Sequence, residues 1–105
     1  MEERIQITLD FTKCKRYHEL YGEMRTKMEW DDFYGENLDA LWDILTAMPY
    51  KGNDFVILRP RQYHNIPHGH DDNFTKYVDK ICYIFERAQM QRYVDLTVQV
   101  IYTEE

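Results

Sequence analysis

Two aspartates four residues apart, Asp39 and Asp43, sit in a run whose apolar positions Leu38, Leu41, Trp42 and Leu45 repeat with helical spacing. On a helix that spacing stands both carboxylates on one face, one turn apart. Their mutual repulsion costs the helix a few tenths of a kcal/mol, roughly 0.3. Asp39 falls in the first turn, where the helix dipole favours an anion, whereas Asp43 is too far in to gain from it. Local stability alone would place a Lys or Arg at one of these positions, yet residues 29–50 contain neither. They do contain Glu29, Asp31, Asp32 and Glu36 besides the two aspartates, six acids that match the formal net charge of -6 of the whole 105-residue chain. A field of one sign concentrated in one segment attracts a basic partner and repels nucleic acid and anionic membrane. A solvated acidic face that merely aids solubility is the plainer alternative. Trp42 lies at the border between the acidic face and the apolar stripe. A partly exposed ring beside acids is a typical interface anchor.

Other chemistries find less support. His64, His68, His70, Asp71 and Asp72, with His18 elsewhere, are candidate metal ligands or contacts titrating near neutral pH. They are not spaced like a structural zinc site. A catalytic pair would have to be Asp39 with Asp43, or His70 with Asp71. No glycine-rich phosphate loop, nucleophile elbow or metal-ligating helix pair accompanies either. No basic stripe suggests nucleic-acid binding. The reading is therefore a non-enzyme without cofactor. Cys14 and Cys82 form no ligand spacing, and the start Met-Glu-Glu-Arg has no apolar signal core. No apolar run approaches a membrane span. A cytoplasmic setting with free thiols is expected, although spacing alone leaves a disulfide open.

These residues need a scaffold, and the chain supplies the pattern of one small domain over residues 1–105. Ile5, Ile7, Leu9 and Phe11 alternate as in a strand. Tyr17, Leu20, Tyr21, Met24 and Met28 follow with helical spacing, which Gly22 weakens by about 1 kcal/mol without breaking it. The acidic helix runs over residues 37–47, ended by Pro49 and Gly52. The apolar run from Phe55 to Leu58 reads as a strand buried on both sides, stopped by Pro60. A short helical turn is expected at residues 61–64, and Asp71 or Asp72 as the cap of a last helix. That helix carries Phe74, Tyr77, Val78, Ile81, Phe85 and Ala88. Leu96, Val98, Val100 and Tyr102 alternate into a closing strand. Strands separated by helices predict an α/β fold with a small parallel sheet. Nine tyrosines suggest several buried rings with wet hydroxyls.

The run FYGENLDALWDILT, residues 33–46, closely resembles the signature of the barstar family of intracellular ribonuclease inhibitors. Residues 34–43 are the most specific part. Weaker similarity covers the whole chain, through Leu20, Met24 and Met28, the strand near Phe55, Ile84 and Phe85, and Asp95. The resemblance implies a three-stranded parallel sheet packed by helices. It also implies that the acidic helix and the loop before it enter a basic ribonuclease active site, with acids in place of RNA phosphates. Carried over, Asp43 is the main phosphate mimic and Asp39 its support. Gly35, Asn37 and Thr46 flank them.

Departures from the family surround this helix. Phe33 replaces a contacting Tyr, Ala47 replaces a Gly, and Met48 replaces a Trp. The family's acid on the last helix aligns with Arg87, reversing its charge; Glu86 serves if the register slips by one. The loop over residues 62–72 is longer. The expected partner surface is then Phe33, Gly35, Asn37, Asp39, Trp42, Asp43, Thr46, Ala47 and Glu86. The expected partner is a basic ribonuclease or toxin domain bound by a monomer, with no role for nucleic acid or membrane. A regulatory or metal-sensing domain using the histidine loop is the alternative.

Overall fold

The computed structural model describes residues 3–29, 35–47 and 52–103. Three strands, β1 (Ile5–Asp10), β2 (Asn53–Pro60) and β3 (Leu96–Thr103), form one parallel sheet in the order β1-β2-β3. Helices α1 (Tyr17–Met28) and α2 (Leu38–Thr46) fill the first crossover. A one-turn 3₁₀ helix (Pro67–Gly69) and α3 (Asp71–Gln89) fill the second. Phe33 and Met48 lie outside the described residues, as does Pro49.

Spatial order follows chain order, so two crossovers of the usual hand lay every helix on one face of the sheet. The core forms there: Leu9, Phe55, Ile57 and Leu96 from the strands meet Leu20 and Met24 of α1, Leu41 and Leu45 of α2, and Val78, Ile81 and Phe85 of α3. Burial along β2 consequently alternates. Phe55 and Ile57 are buried, whereas Val56 and Leu58 are half-buried on the uncovered face. The expectation of a strand buried on both sides is thus corrected. Its continuous apolar run carried no information about a second layer, because β-branched and aliphatic residues also suit a half-covered central strand.

The free sheet edges are occupied by side chains from the helices. Glu23 accepts the Asp10 amide at 2.9 Å, and Lys27 donates to the Thr8 carbonyl at 3.3 Å, both from α1. From α3, Gln89 accepts the Val98 amide at 2.8 Å. Pairing the edge groups in this way removes a template for strand addition.

The link from β2 to α3 differs from expectation in two details. The helical turn lies at Pro67–Gly69 rather than at residues 61–64, where Tyr63 is instead drawn into the core. The Tyr63 hydroxyl donates to the Phe11 carbonyl at 2.8 Å, and its amide donates to Thr75 Oγ1 at 3.0 Å. The cap residue of α3 is His70, not Asp71 or Asp72. Asp71 reaches back to accept the Ile66 amide at 2.9 Å, and Asp72 accepts from Gln62 at 3.1 Å. Both carboxylates tie the loop down. Tyr21 and Tyr77 likewise pair their hydroxyls at 2.6 Å, so these rings satisfy their polar tips within the protein. Tyr63→Phe is expected to lower stability by about 1–2 kcal/mol. The check is a fall in the urea midpoint at unchanged m-value.

Both cysteines are buried and free. Burial pushes the Cys14 thiol up to about 12, with neighbouring acids adding to the shift. Burial also raises Cys82, against the opposing pull of Arg59. Thiols held protonated in this way are poor nucleophiles.

Candidate functional site

The acidic helix is built to stand rigidly. Asn37 is its N-cap, with Oδ1 accepting the Ala40 amide at 2.8 Å. The approach to it is close: a Cβ on Gly35 would lie 2.9 Å from the Asn37 side-chain amide, so a larger residue there would have to displace the capping side chain. Ala40, Leu41, Ile44 and Leu45 bury one face of α2. Thr46 turns its hydroxyl back to the Trp42 carbonyl at 2.8 Å. Ala47 is the exposed C-cap. An ion pair from Arg25 of α1 holds Glu36 just before the helix, so that acid is already matched.

Asp39 and Asp43 point the other way. Both are exposed, and among the described residues neither carboxylate has a hydrogen bond or ion pair. Asp39 sits at the second helical position, where the dipole supports its charge. Trp42 is half-buried, as its position at the border of the acidic face predicted. Asn37→Ala should cost about 1 kcal/mol through the lost cap. Reduced amide protection confined to the first turn of α2 in hydrogen exchange would locate the effect there.

Beside this face, α2 and α3 leave a groove of about 420 Å³ lined by Leu38, Asp39, Trp42, Tyr83, Ile84 and Arg87. Arg87 therefore stands next to the acidic helix. Glu86, one position earlier, lines a neighbouring groove with Arg59, Asp79 and Tyr102. Sequence reasoning named Ile84 only for its similarity to the family and did not single out Tyr83. Tyr83 was legible in principle, since it falls off the apolar stripe of α3 and is four residues from Arg87.

The second groove contains a buried cation. Arg59, at the end of β2, is 1% exposed. Its Nε donates to the Pro60 carbonyl at 3.1 Å, and Nη1 pairs with Asp79 at 2.6 Å. Its guanidinium also lies 5.4 Å from the centroid of the Tyr102 ring, over which Arg61 stacks at 4.3 Å.

The histidine side chains stand apart from one another among the described residues. His68 and His70 rings are 6.2 Å apart and line a third groove with Lys15, Arg16 and His18. No three His, Cys, Asp or Glu side chains converge among the described residues. Asp71 and Asp72 are engaged in the loop, and the His64 carbonyl accepts from Lys15. No helix among the described residues is long and apolar enough to cross a membrane.

Comparison with known proteins agrees with the fold. A family model described as "Barstar (barnase inhibitor)" matches residues 5–101, a span that includes all three helices and the acidic site. A Bacillus subtilis (strain 168) protein named "Putative ribonuclease inhibitor YrdF" is 39% identical over 42 residues, which is 40% of this chain and 46% of that one. The chain thus aligns with less than half of that relative's length. With three helices on a three-stranded parallel sheet and a match over nearly its whole length, this chain belongs to the barstar family.

Proposed function

We propose that the chain binds and blocks the basic active site of a ribonuclease or nuclease toxin, with α2 as a mimic of RNA phosphates, and so protects the cell that makes it. It acts as a stoichiometric inhibitor in the cytoplasm, is monomeric when free, and catalyses nothing. The observation that carries this reading is the pair Asp39 and Asp43: exposed, unmatched among the described residues, and held on one face of a capped helix. A carboxylate accepts charge-assisted, bidentate bonds from guanidinium much as a phosphate does. Two carboxylates on a preformed helix meet a phosphate-binding cleft at little ordering cost. Family membership supports the same reading. The contact surface is Gly35, Asn37, Asp39, Trp42, Asp43, Thr46 and Ala47, with Phe33 before the helix and Glu86 of α3.

Inhibition of RNA cleavage tests the proposal. The chain is titrated against barnase and against secreted ribonucleases of the source cell, at two ionic strengths. A stoichiometric end point is expected with at least one of them. Its association rate should fall steeply as salt rises, as for charge-steered encounter. A chain that inhibits none of these enzymes, or one whose association ignores salt, would exclude the phosphate-mimic mechanism.

A further inference from the structure

The groove between the start of α1 and the start of α3 shares no residue with α2 and has no part in the inhibitor reading. The loops that lead into these helices leave the carboxyl ends of the parallel neighbours β1 and β2, so both helix N-termini bring their positive dipole ends to one rim. Lys15, Arg16, His18, His68 and His70 line the groove, which holds about 580 Å³. No carboxylate lines it, although the chain as a whole carries a formal net charge of -6. The acids nearby are engaged elsewhere. Glu19 accepts the Lys15 and Arg16 amides at 2.7 and 3.1 Å, Asp71 accepts the Ile66 amide, and Asp72 accepts from Gln62. Lys15 Nζ donates to the His64 carbonyl at 2.9 Å, yet neither Lys15 nor Arg16 is in an ion pair among the described residues. Buried Ile66 and Phe74 give the same groove an apolar lining. Tyr17 stands beside them, 43% exposed, with its ring 5.3 Å from Phe74 and edge-on to Tyr77 at 4.7 Å.

We propose that this groove binds a phosphate monoester carried on a flat apolar body, the chemical class of a mononucleotide. Lys15 and Arg16 supply charge-assisted donors, the imidazoles supply further N–H groups, and the two helix ends favour an anion between them. A solvated cationic rim would need no apolar wall, and an apolar pocket would need no cations; a phosphate on a ring uses both. Tyr17 offers that ring a stacking surface already fixed by its own aromatic contacts. The volume lies within the range of about 300–1,000 Å³ usual for small-molecule sites. His68 holds a positive φ of 63°, a conformation that a residue other than glycine adopts at a cost and that is concentrated at binding sites. The site and the acidic helix are independent, and either reading can stand without the other.

The test titrates the full chain with adenosine 5′-monophosphate, adenosine and inorganic phosphate, following backbone amide shifts by NMR. The monophosphate is expected to bind with a Kd below about 1 mM and to shift the amides of residues 15–18 and 66–74. Adenosine should bind at least about 10-fold more weakly for want of the charge, and inorganic phosphate at least about 10-fold more weakly for want of the ring. Arg16→Glu should weaken the monophosphate by at least about 10-fold. Arg92→Glu makes the same charge change past the far end of α3, which spans roughly 28 Å, and should stay within about 2-fold of wild type. His68→Gly suits the positive φ and removes one donor, so it should weaken binding by at least about 3-fold without disturbing the backbone. No shifts at these residues up to about 10 mM monophosphate would overturn the proposal. So would adenosine or inorganic phosphate binding as tightly as the monophosphate. Equal losses in Arg16→Glu and Arg92→Glu would also overturn it, because the effect would then be the general field.

Discussion

Asp43→Ala is expected to weaken binding to the inhibited ribonuclease by at least about 100-fold, close to 3 kcal/mol, while leaving the fold intact. The two aspartates are not equivalent in the structure. Asp39 shares its groove with Arg87, whose charge offsets part of its field; Asp43 does not line that groove. Asp43 is also free of any cap or salt bridge among the described residues. Removing it would leave the partner's cations desolvated and unpaired, which makes losses of this kind large. The same substitution relieves the like-charge contact with Asp39, so thermal stability should rise slightly, by about 0.3 kcal/mol. The paired readout is what identifies a binding residue: affinity falls while stability holds or rises. Surface plasmon resonance on the complex and a denaturant titration of the free chain measure the two. An Asp43→Ala protein that binds as wild type does would rule out Asp43 as the phosphate mimic.

The second large effect concerns stability. Asp79→Ala strands the guanidinium of Arg59, which is 1% exposed and has no other carboxylate within ion-pair distance among the described residues. Leaving a buried charge unmatched costs about 3–5 kcal/mol. Because the Asp79 side chain is itself 57% exposed, solvent takes part in the pair. We therefore expect about 2–3 kcal/mol. Arg59→Met added to Asp79→Ala should recover much of the loss, since a flexible apolar side chain can fill the space beside Cys82 and Tyr102 without a charge to satisfy. Equilibrium urea unfolding of the two single variants and the double variant closes the cycle. If the double variant is no more stable than Asp79→Ala, the stranded charge is not the cause.

Much of this molecule is written in local patterns. The helical spacing of Tyr17, Leu20, Tyr21, Met24 and Met28 matches α1 end to end, and Gly22 is carried within it. Leu38, Leu41 and Leu45 orient α2 so that Asp39 and Asp43 face away from the core. Alternation gives the inward side of β3 from Leu96 to Val100 and places Leu9 of β1 in the core, whereas Ile5 and Tyr102, at or near the strand ends, are exposed. Such signals are legible because a residue's side of a helix or strand depends only on its spacing from near neighbours.

What local spacing does not hold is the identity of the second layer and the meeting of distant residues. The apolar run in β2 looked doubly buried, but parallel order β1-β2-β3 puts all helices on one side and leaves Val56 and Leu58 half-covered. Asp71 and Asp72 resembled caps and metal ligands, yet Ile66 and Gln62 draw both into the loop. Arg59 was unremarked until folding set Asp79, twenty residues on, beside it.

The local form of the acidic helix, with Asn37 capping it and two aspartates on one face, was legible in the sequence alone, since its side-chain hydrogen bonds reach no further than four residues. That Arg87 and Tyr83 border it was decided by the packing of α2 on α3. A charge in sequence has no neighbours but its own helix; only the fold can bring an arginine from residue 87 to the side of an aspartate at residue 39.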